Sequence, residues 1–329
     1  MPSRPQEWHS PSSVCIVTLQ NVPQFRHQGL PYESSELLLE QVTGFLGPAL
    51  DREEPVLIAA QSDTISGFRT AFVGNRNHID LAPMEEVGRN PGRLISVWSD
   101  FLDRHGSAGR TVWGIGEPIY AGRDSDEIEE SEIYEGLLNR AFTELEFSLY
   151  LGCPFDTASL PERVLHDLTG SHPFIGSGAT SRTNENFQAN GQTERQLSPA
   201  LITDDAFVPF TEQGLGAMRR ELATNARRFG VEEDRIPDLV LAVNEIATNS
   251  IKYTGSGTLG VWQAGGRLVC EIRDLGFIED QLIGLRRPKV TEERGRGIWF
   301  AHQVADLIQL RSNPSGTTVR ILFDCVSET

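Results

Sequence analysis

The sequence predicts two α/β units joined by a polar linker, and three observations predict it. The first half alternates strand-like and helix-like segments. The second half opens with two amphipathic helices and continues with strand-like segments. Between them, GSGATSRTNENFQANGQTERQLSP carries few large apolar side chains. Such a stretch cannot bury enough surface to offset the entropy of ordering, so it reads as a flexible linker. The expected boundaries are residues 14–174, a linker at 175–204, and residues 205–327. A length of 329 residues suits two cores better than one.

In the first unit the strand candidates are Val56–Ala60 (VLIAA), Ile79–Leu81, Thr111–Ile115 and Phe147–Leu151. The helix candidates are Ser34–Leu46, Asn90–His105 and Ser131–Leu145. Strands alternating with helices imply a parallel sheet covered on both faces. A nucleotide-binding sheet of that kind carries G-x-x-x-x-G-K-[ST] after its first strand. Here VLIAA is followed by QSDTISGFRTAF, in which Gly67 precedes Phe68 and no Lys-Ser or Lys-Thr appears. The phosphate loop is missing. The acids between Asp124 and Glu135 read as a solvated helix face.

The second unit opens with Thr211–Phe229, apolar at Leu215, Met218, Leu222, Ala226 and Phe229, with Gly230 as its left-handed cap. Pro237–Tyr253 begins with proline in the first turn. Strands are expected at Thr258–Gln263, Arg267–Asp274 and Thr317–Asp324, giving a mixed sheet under two helices.

Four clusters in this unit carry chemistry. Glu245 and Asn249 lie four residues apart and Lys252 three further on, so all three share one helix face. A carboxylate there can deprotonate an attacking hydroxyl, an amide oxygen can hold Mg²⁺, and a lysine can neutralise phosphate charge. The spacing alone fits equally a solvated helix face. Asp274 ends a strand and Gly276 follows, an arrangement that lets a carboxylate accept from an adenine amino group while the backbone comes close. Gly295-Arg296-Gly297 precedes the apolar run IWFAHQVADLI, where helix N–H groups suit a phosphate. Gly316-Thr317-Thr318 opens the last strand with a hydroxyl.

Together these strings resemble the Bergerat (GHKL) ATPase boxes, with EIATN, DLG and GRG in order over about residues 205–327. Within that superfamily the compact arrangement looks most like the anti-sigma-factor serine kinases, so an α/β sandwich is expected. The resemblance implies ATP–Mg²⁺ binding by Glu245, Asn249, Asp274, Gly276, Gly295 and Gly297, with Lys252, Arg296 and Thr317 beside them. It also implies a sigma factor and a phosphorylatable antagonist (anti-anti-sigma) protein as partners, and serine/threonine kinase activity. One departure bears on turnover: the box D-x-G-x-G has Ile278 at its last position. The lid over the nucleotide, from Phe277 to Arg294, then has a stiffer hinge. The lid region is basic (Arg286, Arg287, Lys289, Arg294, Arg296), which fits either phosphate contact or a solvated loop.

Two other readings of the second unit stay open. One is a non-catalytic module that sequesters a partner. The other is a sensor histidine kinase, whose phosphoacceptor needs a long helical hairpin. The string His166-Asp167-Leu168 lies instead on a short segment closed by Gly170 and Pro173.

Three strings in the first unit are Arg89-Asn90-Pro91-Gly92-Arg93, Gly114-Ile115-Gly116-Glu117-Pro118 and Cys153-Pro154-Phe155-Asp156. With His27 and Tyr32 they resemble the MEDS sensory domain, a RecA-like module without a phosphate loop, over about residues 25–173. The resemblance implies a small organic ligand. In open α/β sheets ligands bind at the C-terminal ends of strands. That makes Glu117, Cys153 and Asp156, with His27, the candidate sensory residues. Cys153 fits a small buried hydrophobe; beside a histidine it can also form a nucleophile pair or half a metal site.

Composition narrows the partners. A net charge of −17 opposes nonspecific nucleic-acid binding. No apolar run approaches the ~20 residues a membrane span needs. The Pro/Ser-rich residues 1–13 lack the apolar core of a signal peptide. The four cysteines, Cys15, Cys153, Cys270 and Cys325, form no C-x-x-C pair, in keeping with free thiols in the cytoplasm. A homodimer is left open.

Overall fold

A computed structural model describes residues 25–72, 78–176, 180–189, 195–289, 291–292 and 294–326. The N-terminal segment 1–13, Cys15, parts of the expected linker (177–179 and 190–194) and lid residues Val290 and Glu293 lie outside them.

The first sheet has seven strands: β1 (Phe25–Tyr32), β2 (Val56–Ala60), β3 (Ile79–Pro83), β4 (Thr111–Gly116), β5 (Ser148–Asp156), β6 (Phe174–Ile175) and β7 (Arg182–Thr183). Their order is β3-β2-β4-β5-β1-β6-β7. All neighbours run parallel except β6 and β7. Helices α1 (Ser35–Asp51), α2 (Ser62–Ala71), α3 (Met84–Val87), α4 (Leu94–His105), α5 (Ser125–Ala141) and α6 (Glu162–Ser171) supply the crossovers. Two apolar cores result. One packs Trp98, Phe101, Leu137 and Leu138 against β4 and β5; the other packs Phe45, Leu46 and Phe68 against β2 and β4.

The second unit holds α7 (Leu215–Arg228), α8 (Ile236–Thr254) and α9 (Arg296–Val304) over a sheet ordered β11-β12-β10-β9-β8. Its strands are β8 (Val208–Phe210), β9 (Gly257–Ala264), β10 (Arg267–Asp274), β11 (Leu307–Asn313) and β12 (Gly316–Asp324). Every neighbouring pair is antiparallel, which corrects the expected mixed sheet. Connectivity accounts for two of the four pairs, since β9–β10 and β11–β12 are direct hairpins. The helix over IWFAHQVADLI also stops early. Val304 is its last residue, and Leu307 and Ile308 go into β11, whose Ile308 joins the helix-side core.

The acidic run is the larger correction. Helix α5 starts at Ser125, capped by reciprocal hydrogen bonds between Asp124 and Glu127. Glu130, Glu132 and Glu135 are buried rather than solvated. The helix is enclosed on several sides, and arginines meet three of its acids. Glu130 pairs with Arg311 at 2.6 Å, Glu127 with Arg267 at 2.7 Å, and Glu132 with Arg163 at 3.2 Å. Arg195, within the stretch expected to be a linker, also reaches Glu132 and Asp167.

Candidate functional site

Helix α8 is apolar at Ile236, Leu239, Val243, Ile246 and Ala247, which turn into the core. That orientation leaves Glu245 and Asn249 half-buried on the flank beside α9, and Lys252 exposed with its ammonium 5.4 Å over the Tyr253 ring. Gly295, at φ 78°, caps α9, and Gly297 lies in its first turn. A Cβ at position 297 would sit 2.6 Å from Glu245 Oε2 and 3.3 Å from Asn249 Nδ2. Glycine is what lets the α9 N-terminus close onto the acid–amide pair. Arg296 donates to the Glu292 carbonyl at 3.2 Å.

A second group gathers at the end of β10. Asp274 Oδ1 accepts from the Gly276 amide at 2.7 Å, and Oδ2 accepts from the Ser250 hydroxyl at 2.6 Å. A Cβ on Gly276 would lie 2.9 Å from Asp274 Oδ1 and 3.0 Å from Thr254 Cγ2. Thr317, paired with Asp274 across the ladder, donates to the Gly276 carbonyl at 2.9 Å. Its hydroxyl also meets Ser312 Oγ at 2.7 Å, and Ser312 Oγ accepts from the Ile278 amide at 2.8 Å. The carboxylate is thus fixed by two donors while keeping acceptor capacity.

Ser250, Thr254 and Ser312 were missed by sequence reasoning. Ser250 carried a signal: it continues the apolar stripe of α8, and a hydroxyl at a core position needs a partner.

The residues expected in the sensory unit fall into three places. His27 and Cys153 meet inside the sheet, Nε2 to Sγ at 3.2 Å, with Cys153 in the middle of β5. Glu117, just past β4, is buried and accepts from the Tyr32 hydroxyl at 3.0 Å. Burial pushes the Glu117 carboxyl above its usual range, and burial with that neighbouring carboxylate pushes Tyr32 up as well. Asp156 caps the following turn through Ala158 N at 2.8 Å and the Ser159 hydroxyl at 2.6 Å. His166 is exposed on the ten-residue α6.

The two units share a seam. Leu282 and Leu285, from the expected lid, pack into the core around Trp98. Ser96 Oγ donates to the Leu285 carbonyl at 2.8 Å and accepts from Trp299 Nε1 at 2.9 Å. Asn90 Nδ2 donates to the His302 carbonyl at 3.1 Å, and a Cβ on Gly92 would lie 2.2 Å from the His302 ring. Burial holds the His302 imidazole down at about 4. It also pushes Glu130 up to about 7 against the pull of Arg311. A cavity of about 720 Å³ opens beside this seam, lined in part by Glu130, Arg195, Arg273, Arg311 and Arg320.

Fold and site together define a two-unit α/β protein with the polar boxes of a nucleotide-binding sandwich in its second unit. The comparisons give the families. Residues 208–323 match the family described as Histidine kinase-like ATPase domain. Residues 26–173 match MEDS, the MEthanogen/methylotroph, DcmR Sensory domain. The chain therefore carries a MEDS domain at its N-terminal end and a histidine kinase-like ATPase domain at its C-terminal end.

No curated protein matches the chain. Among solved structures, the RsbU and RsbW domains of Rv1364c from Mycobacterium tuberculosis are similar over 36% of this chain and 32% of that one. The identity is 16% and the TM-score 0.28. This chain thus spans about a third of that chain's length. No helix among the described residues is long and apolar enough to cross a membrane.

Proposed function

We propose that this chain is an ATP–Mg²⁺-binding regulator of the anti-sigma-factor kinase type, controlled by its MEDS domain. One observation carries the nucleotide reading: Gly297 and Gly276 bring bare backbone so close to Glu245 and Asp274 that a Cβ at either position would meet them. Backbone amides at the α9 N-terminus suit phosphate oxygens, and the Asn249 amide oxygen suits Mg²⁺. Asp274, fixed by Ser250 and Gly276, is the acceptor for an adenine amino group. Bound Mg²⁺ supplies charge neutralisation at the phosphates. Glu245 takes the proton from a serine or threonine hydroxyl of an antagonist protein. Lys252 and Arg296 add positive charge near the phosphates, and Thr317 completes the Asp274 group.

Control by the MEDS domain is supported by the seam. A lid whose Leu282 and Leu285 are held in the core of the other unit cannot move independently of it. A small molecule at the first unit then reads out as a change in lid freedom. The partners in this reading are a sigma factor and its antagonist protein, in the cytoplasm.

Calorimetric titration of the full chain with ATP–Mg²⁺ tests the nucleotide site. Asp274→Asn is expected to weaken binding by about 1–3 kcal/mol, the cost of spoiling a hydrogen bond to a charged group. Equal affinities for parent and variant remove Asp274 from the site.

A further inference from the structure

The MEDS domain holds a polar cluster that the nucleotide reading does not use. His27 on β1, Cys153 on β5, Glu135 on α5 and His172 just before β6 are all buried. Each offers a ligand atom, and the four atoms lie within 4.8 Å of one another. His27 Nε2 is 3.2 Å from Cys153 Sγ and 3.0 Å from Glu135 Oε2, and His172 Nε2 is 3.3 Å from the same oxygen.

The outer face of each imidazole decides what the inner face offers. Asn139 Nδ2 donates to the Ser171 carbonyl at 2.7 Å, which turns its Oδ1 toward His27 Nδ1 at 3.1 Å. His172 Nδ1 lies 2.6 Å from the Leu168 carbonyl oxygen. Both Nδ1 atoms therefore carry the proton and donate it outward. Both Nε2 atoms then present lone pairs to the cluster.

The interior holds two imidazole lone pairs, a carboxylate and a thiol, with the thiol hydrogen as its one donor. The Glu135–imidazole contacts are at ion-pair distance but lack hydrogen-bond geometry. Both Glu135 oxygens and His172 Nε2 have no hydrogen-bond partner among the described residues. Four facing acceptors in a sealed apolar core are costly unless a cation sits among them.

We propose that His27, Glu135, Cys153 and His172 form a closed, four-ligand site for a zinc-class divalent cation. The three shortest separations lie within about 0.4 Å of that geometry, and the remaining ones, up to 4.8 Å, would contract when the ion binds. Tetrahedral zinc with ligand bonds of about 2.0–2.3 Å places neighbouring N and O atoms about 3.3 Å apart and N and S about 3.6 Å apart. The N, N, S, O donor set suits a borderline transition cation rather than Mg²⁺ or Ca²⁺. Gly29 makes room for one ligand, since a Cβ there would lie 3.2 Å from His172 Cγ. With all four ligands supplied by the protein and none open to water, the ion is structural and ties β1, β5, α5 and the α6–β6 junction together.

The test is metal analysis of the full chain purified without chelator, with a parallel preparation grown on Co²⁺. About one zinc per chain is expected, together with a tetrahedral cobalt spectrum and a thiolate charge-transfer band. Cys153→Ser should lose the band and most of the metal, while Cys270→Ser, at a buried thiol in the other unit, should keep both. A folded parent that is metal-free and gives no cobalt band overturns the proposal, and this holds even if the Cys153 variant fails to fold. So does a band that survives Cys153→Ser.

Discussion

Polar side chains gather at two places in this chain, and the two differ in how much water reaches them. At the α8–α9 flank and the end of β10, Glu245, Asn249 and Asp274 are half-buried, and Asp274 keeps acceptor capacity beyond its two donors. In the first unit, His27, Glu135, Cys153 and His172 are sealed, with both imidazoles committed outward. Open acceptors can exchange water for a ligand at each turnover. Sealed ones must be satisfied once, when the chain folds. Mutations should therefore be felt in different ways: as lost ligand binding or chemistry at the open site, and as lost stability at the sealed one and along the seam.

The largest effect expected at the open site is on chemistry alone. In the kinase reading, Glu245→Ala should slow phosphoryl transfer to an antagonist protein by about 10²–10⁴-fold, the usual contribution of a general base. ATP affinity and melting temperature should stay close to the parent. Radiolabelled ATP with candidate antagonists measures the transfer. A parent that transfers nothing, with partner binding intact in Glu245→Ala, moves the chain to the sequestering reading. Transfer as fast in the variant as in the parent removes Glu245 as the base.

At the seam, Leu285→Ala should destabilise the contact by about 2–5 kcal/mol, as for other large-to-small core changes. The lid offers trypsin Arg286 and Lys289, so the readout is cleavage there under native conditions. A rise of at least about tenfold is expected, because cleavage follows the open population. Unchanged cleavage would mean that the lid moves independently of the first unit.

The smallest effect is a pH dependence. An unfolded histidine titrates at about 6.5, whereas His302 in the fold stays neutral down to about 4. Between those values the unfolded chain binds the proton and the folded chain does not, so stability falls as pH drops and levels off below about 4. The full loss is about 3 kcal/mol. Urea unfolding of the parent and His302→Gln across this range isolates it. The variant should lack that part of the slope, and equal slopes would show that His302 is not sealed.

Much of this was legible in the sequence, and the gaps have physical causes. The elements that carry the proposed box residues were readable because their residue types are tied to elements: an acid–amide pair one helical turn apart, an acid at a strand end, glycines at a helix start. Strand β1 was not assigned, because FRHQGLPY mixes Gly, Pro and charge and shows neither period. Its hydrogen bonds come from two parallel neighbours far along the chain. Strand β11 hid in the tail of an apolar helix pattern. In the sealed cluster His27 and Cys153 stood out, but Glu135 was lost in an acidic run and His172 lay outside the motif strings. Glu135 is flanked by Ile133, Tyr134, Leu137 and Leu138. An acid in such company on a helix is a buried one, and that was the available signal.

Helix α5 has a mechanical consequence. One side of it supplies Glu135 and Asn139 to the cluster under the sheet, and another supplies Glu129 and Glu130 to Arg311 on β11. Five residues at about 1.5 Å each separate Glu130 from Glu135, a span of roughly 7.5 Å along a stiff rod. One short stretch of helix thus joins the interior of the first unit to β11, the edge strand beside β12 in the second.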